Sequence, residues 1–131
     1  MSGPTWTASQ LGELADAEEL VLVITRAERA TLRFPVWMVV VDGSLYVRSY
    51  LGVTNGWYRA VVANPRQAIV LDGREVDVVF DFVPATDPVN DAIGSTYLSK
   101  YARFDYRDEM VAPVAIDATL HILPARSPAG A

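Results

Sequence analysis

The dipeptide Asp-Gly occurs twice, at Asp42-Gly43 and Asp72-Gly73, each time between runs of β-branched and aromatic residues. A two-residue reversal between strands needs positive φ at both central positions. Gly adopts that conformation freely and Asp tolerates it, so both dipeptides read as hairpin turns. A hairpin makes its two strands antiparallel, whereas parallel neighbours need a long crossover. Two hairpins in 131 residues therefore point away from a doubly wound sheet and toward a small antiparallel barrel.

The flanking residues fix which faces are buried. In residues 31–41 Leu32, Phe34, Val36, Met38 and Val40 share one face, expected to be the core, while Arg33, Pro35 and Trp37 begin the other. Residues 44–49 return from the first turn, and residues 20–25 form a strand before it. Residues 67–71 and 75–83 flank the second turn, with Val76, Val78, Phe80 and Phe82 alternating with Asp77 and Asp81. Residues 115–123 read as the closing strand. Thr7 and Gln10 form a capping box with Trp6 poised to staple onto Leu11, so a helix runs to about residue 17. A second helix spans residues 57–63 and ends before Asn64-Pro65. Asp87-Pro88 opens a third, whose Ile93, Tyr97 and Tyr101 recur at helical spacing. The fold class is mainly β with helices (α+β): an antiparallel barrel of six to seven short strands with peripheral helices. It is expected to be one domain over residues 1–124, with a flexible tail at 125–131 rich in Ala, Pro and Ser.

Composition removes several kinds of chemistry. The chain has no cysteine, so disulfides, thiolate catalysis and cysteine metal sites are excluded, and the lone His121 makes no metal site. A net charge of −5 argues against nucleic-acid binding, which draws its affinity from a basic surface. No apolar run approaches the length of a membrane span, and the first residues lack the pattern of a signal peptide, so no membrane partner and a cytoplasmic location are expected. Against this acidic background Arg26, Arg29, Arg33, Arg48 and Arg59 gather within residues 24–65. Guanidinium groups form forked hydrogen bonds to phosphate or carboxylate, so the cluster suggests a local anion site, a phosphate-bearing cofactor first of all. Asp77 and Asp81 lie about 13 Å apart along a strand, too far for a retaining carboxylate pair, and read as solvent-facing. His121 reads as an exposed strand residue. Tyr97, Tyr101 and Tyr106 are candidates for a substrate pocket or, on their spacing, for packing. No catalytic side chain stands out.

The order of these features resembles a known superfamily. Arg33-Phe34-Pro35-Val36, the Asp-Gly turn, Leu45-Tyr46-Val47-Arg48-Ser49, Gly56-Trp57-Tyr58-Arg59 and Ala63-Asn64-Pro65 follow one another as in the flavin-binding split β-barrels, the pyridoxamine 5'-phosphate oxidase-like proteins. Within that superfamily the pattern is most similar to small deazaflavin-dependent, nitroreductase-like proteins and to a related bacterial group known only as a domain of unknown function. Met110-Val111-Ala112-Pro113 after a Tyr/Lys-rich helix is similar to the latter group.

The resemblance implies an FMN- or deazaflavin-dependent oxidoreductase acting on a small organic substrate, and a homodimer. The backbone of Pro35, Val36 and Trp37 would lie along the ring, and Arg33, Arg48 and Ser49 would converge on the phosphate. Trp57, Tyr58 and Arg59 would close one wall, and Arg26 belongs to the same set. A second reading stays open, because Arg26-Ala27-Glu28-Arg29-Ala30 stands where the deazaflavin group carries Gly and Ser. Without glycine, fewer backbone amides can approach a phosphate. The alternative is a small-ligand binding module, or a cofactor-free enzyme, on a barrel that has lost its cofactor.

Overall fold

Where residues 31–41 were expected to form one strand, the chain changes partner at Trp37, and this break organises the molecule. The computed structural model describes residues 5–26 and 29–125. β2 (Leu32–Val36) pairs antiparallel with β1 (Leu20–Ile24), whereas β3 (Met38–Val41) pairs antiparallel with β4 (Ser44–Arg48). β5 (Arg66–Leu71), β6 (Arg74–Val83) and β7 (Thr119–Pro124) complete a sheet of seven strands among the described residues, in the order β2-β1-β5-β6-β7-β4-β3. The two outermost strands are thus consecutive in the chain, separated by Trp37 alone. The sheet curls into a half-barrel whose two edge strands are joined in sequence through Trp37, and this is the split antiparallel barrel.

Both Asp-Gly dipeptides turn as expected, with φ of 49° and 79° at Asp42 and Gly43 and 53° and 73° at Asp72 and Gly73. The inward face follows the expected register. Leu32, Phe34, Val36, Met38 and Val40 all join the barrel core, together with Leu22, Leu45, Ile69 and Ile122. Each large aliphatic side chain taken wholly out of water contributes about 1.5–3 kcal/mol. α1 (Ala8–Asp16) opens with the Thr7–Gln10 capping box, and Trp6 beside it donates from Nε1 to Ile122 O at 3.0 Å. α2 (Gly56–Ala63), capped by Asn55, turns Trp57, Tyr58 and Val61 into the same core.

The outward face of β3 and β4 is covered by α3 (Val89–Lys100) and the following 3-10 segment Asp105–Val111. Here Val39, Val41 and Tyr46 meet Ile93, Tyr97, Tyr101 and Met110. The tyrosine stripe does more than pack. At the break Trp37 has no strand partner, and Met38 and Arg48 have one on one side only; side chains from the C-terminal half of α3 and its cap fill the open positions. Tyr97 Oη accepts from Arg48 N at 3.1 Å and donates to Trp37 O at 3.0 Å. Tyr101 Oη accepts from Met38 N at 3.1 Å and donates to Glu18 O at 2.7 Å, and Lys100 Nζ donates to Met38 O at 2.9 Å and Leu14 O at 3.3 Å.

Three further expectations are corrected. The closing strand starts at Thr119 rather than at residue 115, because Pro113 opens a short helix, α4 (Pro113–Ile116), and Thr119 is the first residue with strand partners, Arg48 and Val83. Phe82 is 55% exposed although it shares the face of Phe80. β6 there runs past its last pairing with β5, Val79 opposite Arg66, so no strand covers it on that side. His121 is half-buried rather than exposed: it stacks on Tyr46 with ring centroids 4.9 Å apart. The tail at residues 126–131 lies outside the described residues.

Removing one seam hydroxyl should be costly. Tyr101→Phe deprives Met38 N of its acceptor and is expected to destabilise the fold by about 1–3 kcal/mol. Tyr106→Phe, on a largely exposed ring, should stay within about 0.5 kcal/mol. Urea denaturation measures both, and equal midpoints would contradict the role given to α3.

Burial holds the Lys100 ammonium at about 8, below its ordinary 10.5, against a smaller opposing pull from Asp16. The unfolded chain therefore binds more protons than the folded one between those values, so stability due to Lys100 should rise as pH rises through that window. Lys100→Met should flatten the slope between about pH 8 and 9.5, below the range where tyrosines titrate. An unchanged slope would show that Lys100 keeps its ordinary affinity for the proton.

Candidate functional site

The partner change that closes the barrel also opens a cleft beside it. Val36 and Trp37 lie on one side, Arg48 and Tyr50 come from the end of β4, Trp57 from the start of α2, and Tyr106 and Met110 from the 3-10 segment. The cavity is about 280 Å³, near the lower end for small-molecule sites. Its walls are aromatic and apolar. Trp37 is held rigidly, stacked on Tyr101 with ring centroids 4.2 Å apart and planes 8° from parallel, and Phe104 packs against it at 5.0 Å. Trp57 is fixed by Phe34 at 5.9 Å.

Arg48 is the one basic residue among the described residues lining the cleft, and it is 2% exposed. Its Nε donates to Thr119 Oγ1 at 2.9 Å, Nη1 to Met110 O at 2.9 Å, and Nη2 to Asn90 O at 3.2 Å and Asn90 Oδ1 at 3.0 Å. Every acceptor is neutral. Among the described residues no carboxylate forms an ion pair with it. Burial lowers its proton affinity, with the neighbouring Tyr97 opposing, yet an arginine so placed stays charged. Gly94 on α3 lies beside the guanidinium, where an added Cβ would make only an ordinary contact, 3.7 Å from Nη1.

The remaining expected site residues do not converge with Arg48 on a phosphate. Arg33 is exposed on β2, paired with Glu75. Its strand faces β1 and its carboxylate partner stands on β6, so the guanidinium is held away from the cleft. Ser49 is buried, its hydroxyl donating to Gly52 O at 2.9 Å, which shapes the loop after β4. Arg26 donates from Nε and Nη2 to Ala30 O and does not line the cleft. Arg59 and Pro35 are exposed and do not line the cleft. Tyr58 is in the barrel core, where burial and then Asp117 push its hydroxyl pKa up. Val36, Trp37, Arg48 and Trp57 are the expected residues that the cleft brings together.

Tyr50 and Met110 were missed, whereas Tyr106, a pocket-or-packing candidate in the sequence, does line the cleft. Tyr106 carried a usable signal: it falls outside the four-residue spacing of Tyr97 and Tyr101, and those two are packed at the seam while Tyr106 lines the cleft. Asn90 and Thr119, which hold Arg48, left no mark in the sequence. Among the described residues no cluster of three metal-ligating side chains exists, and no helix is long and apolar enough to cross a membrane. Asp81 pairs in register with His121 on the sheet's outer face, where burial lowers the imidazole pKa and Asp81 partly offsets that. His121 and Asp81 do not line the cleft.

The family model for DUF2255, described as an uncharacterized protein conserved in bacteria, matches residues 10–122. The chain belongs to this family. No curated protein matches this chain. Among solved structures it is similar to a conserved hypothetical protein of Mycobacterium tuberculosis, at 14% identity over 96% of this chain and 85% of that one, with a TM-score of 0.69. A FAD-binding protein of Mesorhizobium loti is similar at 22% identity over 96% and 95%, TM-score 0.62. A protein described as an F420 reductase is similar at 16% identity over 92% and 96%, TM-score 0.58. At these identities the likeness establishes the fold: this DUF2255 protein is a pyridoxamine 5'-phosphate oxidase-like split barrel.

The two arginines should separate in a stability measurement. Arg33→Ala removes an exposed pair and should cost less than about 1 kcal/mol. Arg48→Met strips donors from four buried acceptors on three residues and should cost about 3 kcal/mol or more. Similar unfolding midpoints would mean that Arg48 does not hold the 3-10 segment and β7 together.

Proposed function

We propose that this DUF2255 protein binds a flavin-type cofactor, FMN or a deazaflavin, in the Trp37–Trp57 cleft and acts as an oxidoreductase on a small organic substrate. The observation that carries this reading is a buried guanidinium without a carboxylate partner at an aromatic-walled cavity. The residues fit the ring of such a cofactor. Trp37, Trp57 and Val36 offer flat apolar walls, and Arg48 offers a positive charge. The bound group would supply hydride or electron transfer; the protein would orient it and exclude water. The FAD-binding and F420 reductase relatives of the same fold support the assignment by analogy.

The rim favours a second copy of the chain. Tyr50, Leu51, Val53 and Val114 are each more than half exposed, and the turn at Gly52 packs directly on Val114, so they form one apolar surface beside the cleft. A homodimer would cover this surface and deepen the site. One observation favours the other reading, a ligand-binding module without a cofactor: Arg33 is paired with Glu75 and does not line the cleft, and among the described residues no phosphate cradle assembles.

Titration of the purified protein with FMN and with a deazaflavin, followed by quenching of tryptophan fluorescence, tests the proposal. Saturable binding of at least one is expected, weakened about tenfold in Tyr106→Ala through loss of a stacking surface worth about 1.4 kcal/mol. No saturation with either ligand would leave the binding-module reading as the better account.

A further inference from the structure

A buried cation at a flavin-type site invites assignment to the phosphate, but the surroundings of Arg48 argue otherwise. A phosphate carries close to two charges on three oxygens, and taking it from water requires several converging donors. Arg48 has little left to give. Four hydrogen bonds to Thr119, Met110 and Asn90 engage all but one N–H of the five in a guanidinium. Among the described residues no second basic side chain lines the cleft, and Ser49 directs its hydroxyl to Gly52. What the cleft does supply is flat apolar wall. A planar ring there could meet the fixed positive charge with one edge, its negative charge spread by delocalisation, and would need only one hydrogen bond or none.

We infer that Arg48 faces the pyrimidinedione edge of the bound ring, and that the cleft selects planar heterocycles with an ionisable imide in place of phosphate esters. This rests on the flavin-type reading above. Flavins and deazaflavins share that edge, so the inference does not depend on which of them is bound. It also gives a reason for the rigid anchoring of the guanidinium: a positive charge held by neutral acceptors stabilises an anionic ring without reorganising.

The test uses the unmutated protein, because substitution of Arg48 endangers the fold. Affinities for FMN, riboflavin and lumiflavin, which share a ring and differ in phosphate and side chain, are compared by fluorescence quenching. Binding of all three within about fivefold supports the inference. Riboflavin binding thirtyfold or more weaker than FMN overturns it while leaving the flavin reading intact, and no binding of any ring removes both.

A second measurement titrates the imide proton of bound riboflavin by absorbance. Burial in an apolar cleft alone would raise that pKa, whereas a facing cation lowers it. Release of the proton at a pH about 1 or more below that of free riboflavin is expected. An unchanged or higher value places Arg48 away from the imide and overturns the inference.

Discussion

At Trp37 and Met38 the chain stops being one edge of the sheet and becomes the other, and the fold depends on how the backbone is satisfied there. Strands leaving a sheet expose unpaired amides and carbonyls, and burying them without partners is costly. Two phenol groups and an ammonium from α3 take the place of a neighbouring strand: Tyr97 bridges Trp37 O and Arg48 N, while Tyr101 and Lys100 serve Met38. Tyrosine suits this task because its body packs while its hydroxyl both donates and accepts. Burial pushes Tyr101 up to about 12 and Tyr97 higher still, so both stay protonated and keep their donors.

The seam and the cleft are one arrangement. α3 stacks Tyr101 against Trp37, and the chain that follows α3 brings Tyr106 and Met110 over the end of β4. Arg48 then ties this layer to the sheet by reaching Asn90 at the start of α3, Met110 in the 3-10 segment and Thr119 on β7. Three segments far apart in sequence are thereby held around one cavity. A ligand in that cavity would touch residues that already fix the barrel's closure, so the site is built on the rigid part of the molecule.

The sheet was legible because its signals are local. Alternation from Leu32 to Val40 and two Asp-Gly turns specify register within a few residues, and the structure follows them. The break at Trp37 was not legible, since it is imposed by which strands pair at a distance; nothing in Val36-Trp37-Met38 forbids a continuous strand. The same limit applied at Phe82, whose exposure depends on where β5 ends. For the site, clustering of arginines in sequence was a poor guide to clustering in space. Arg33 and Arg48 both follow strand alternation and both point outward, but outward from β2 is solvent and outward from β4 is the layer under α3.

The cost of Arg48 bears on what the cleft is for. A side chain needed only to join Thr119, Asn90 and Met110 could be neutral, and a neutral donor would avoid the desolvation that lowers the proton affinity of this guanidinium. A nearby carboxylate would offset that penalty, and among the described residues none pairs with it. The charge is therefore retained and left uncompensated beside a cavity lined by aromatic rings. An anionic ligand would restore the balance by neutralising the guanidinium, and the protein should then be more stable with ligand than without it, in proportion to affinity. Among the described residues lining the cleft there is no Ser, Thr, Cys, His, Lys or carboxylate, so on the flavin-type reading proposed above the bound group would supply the chemistry.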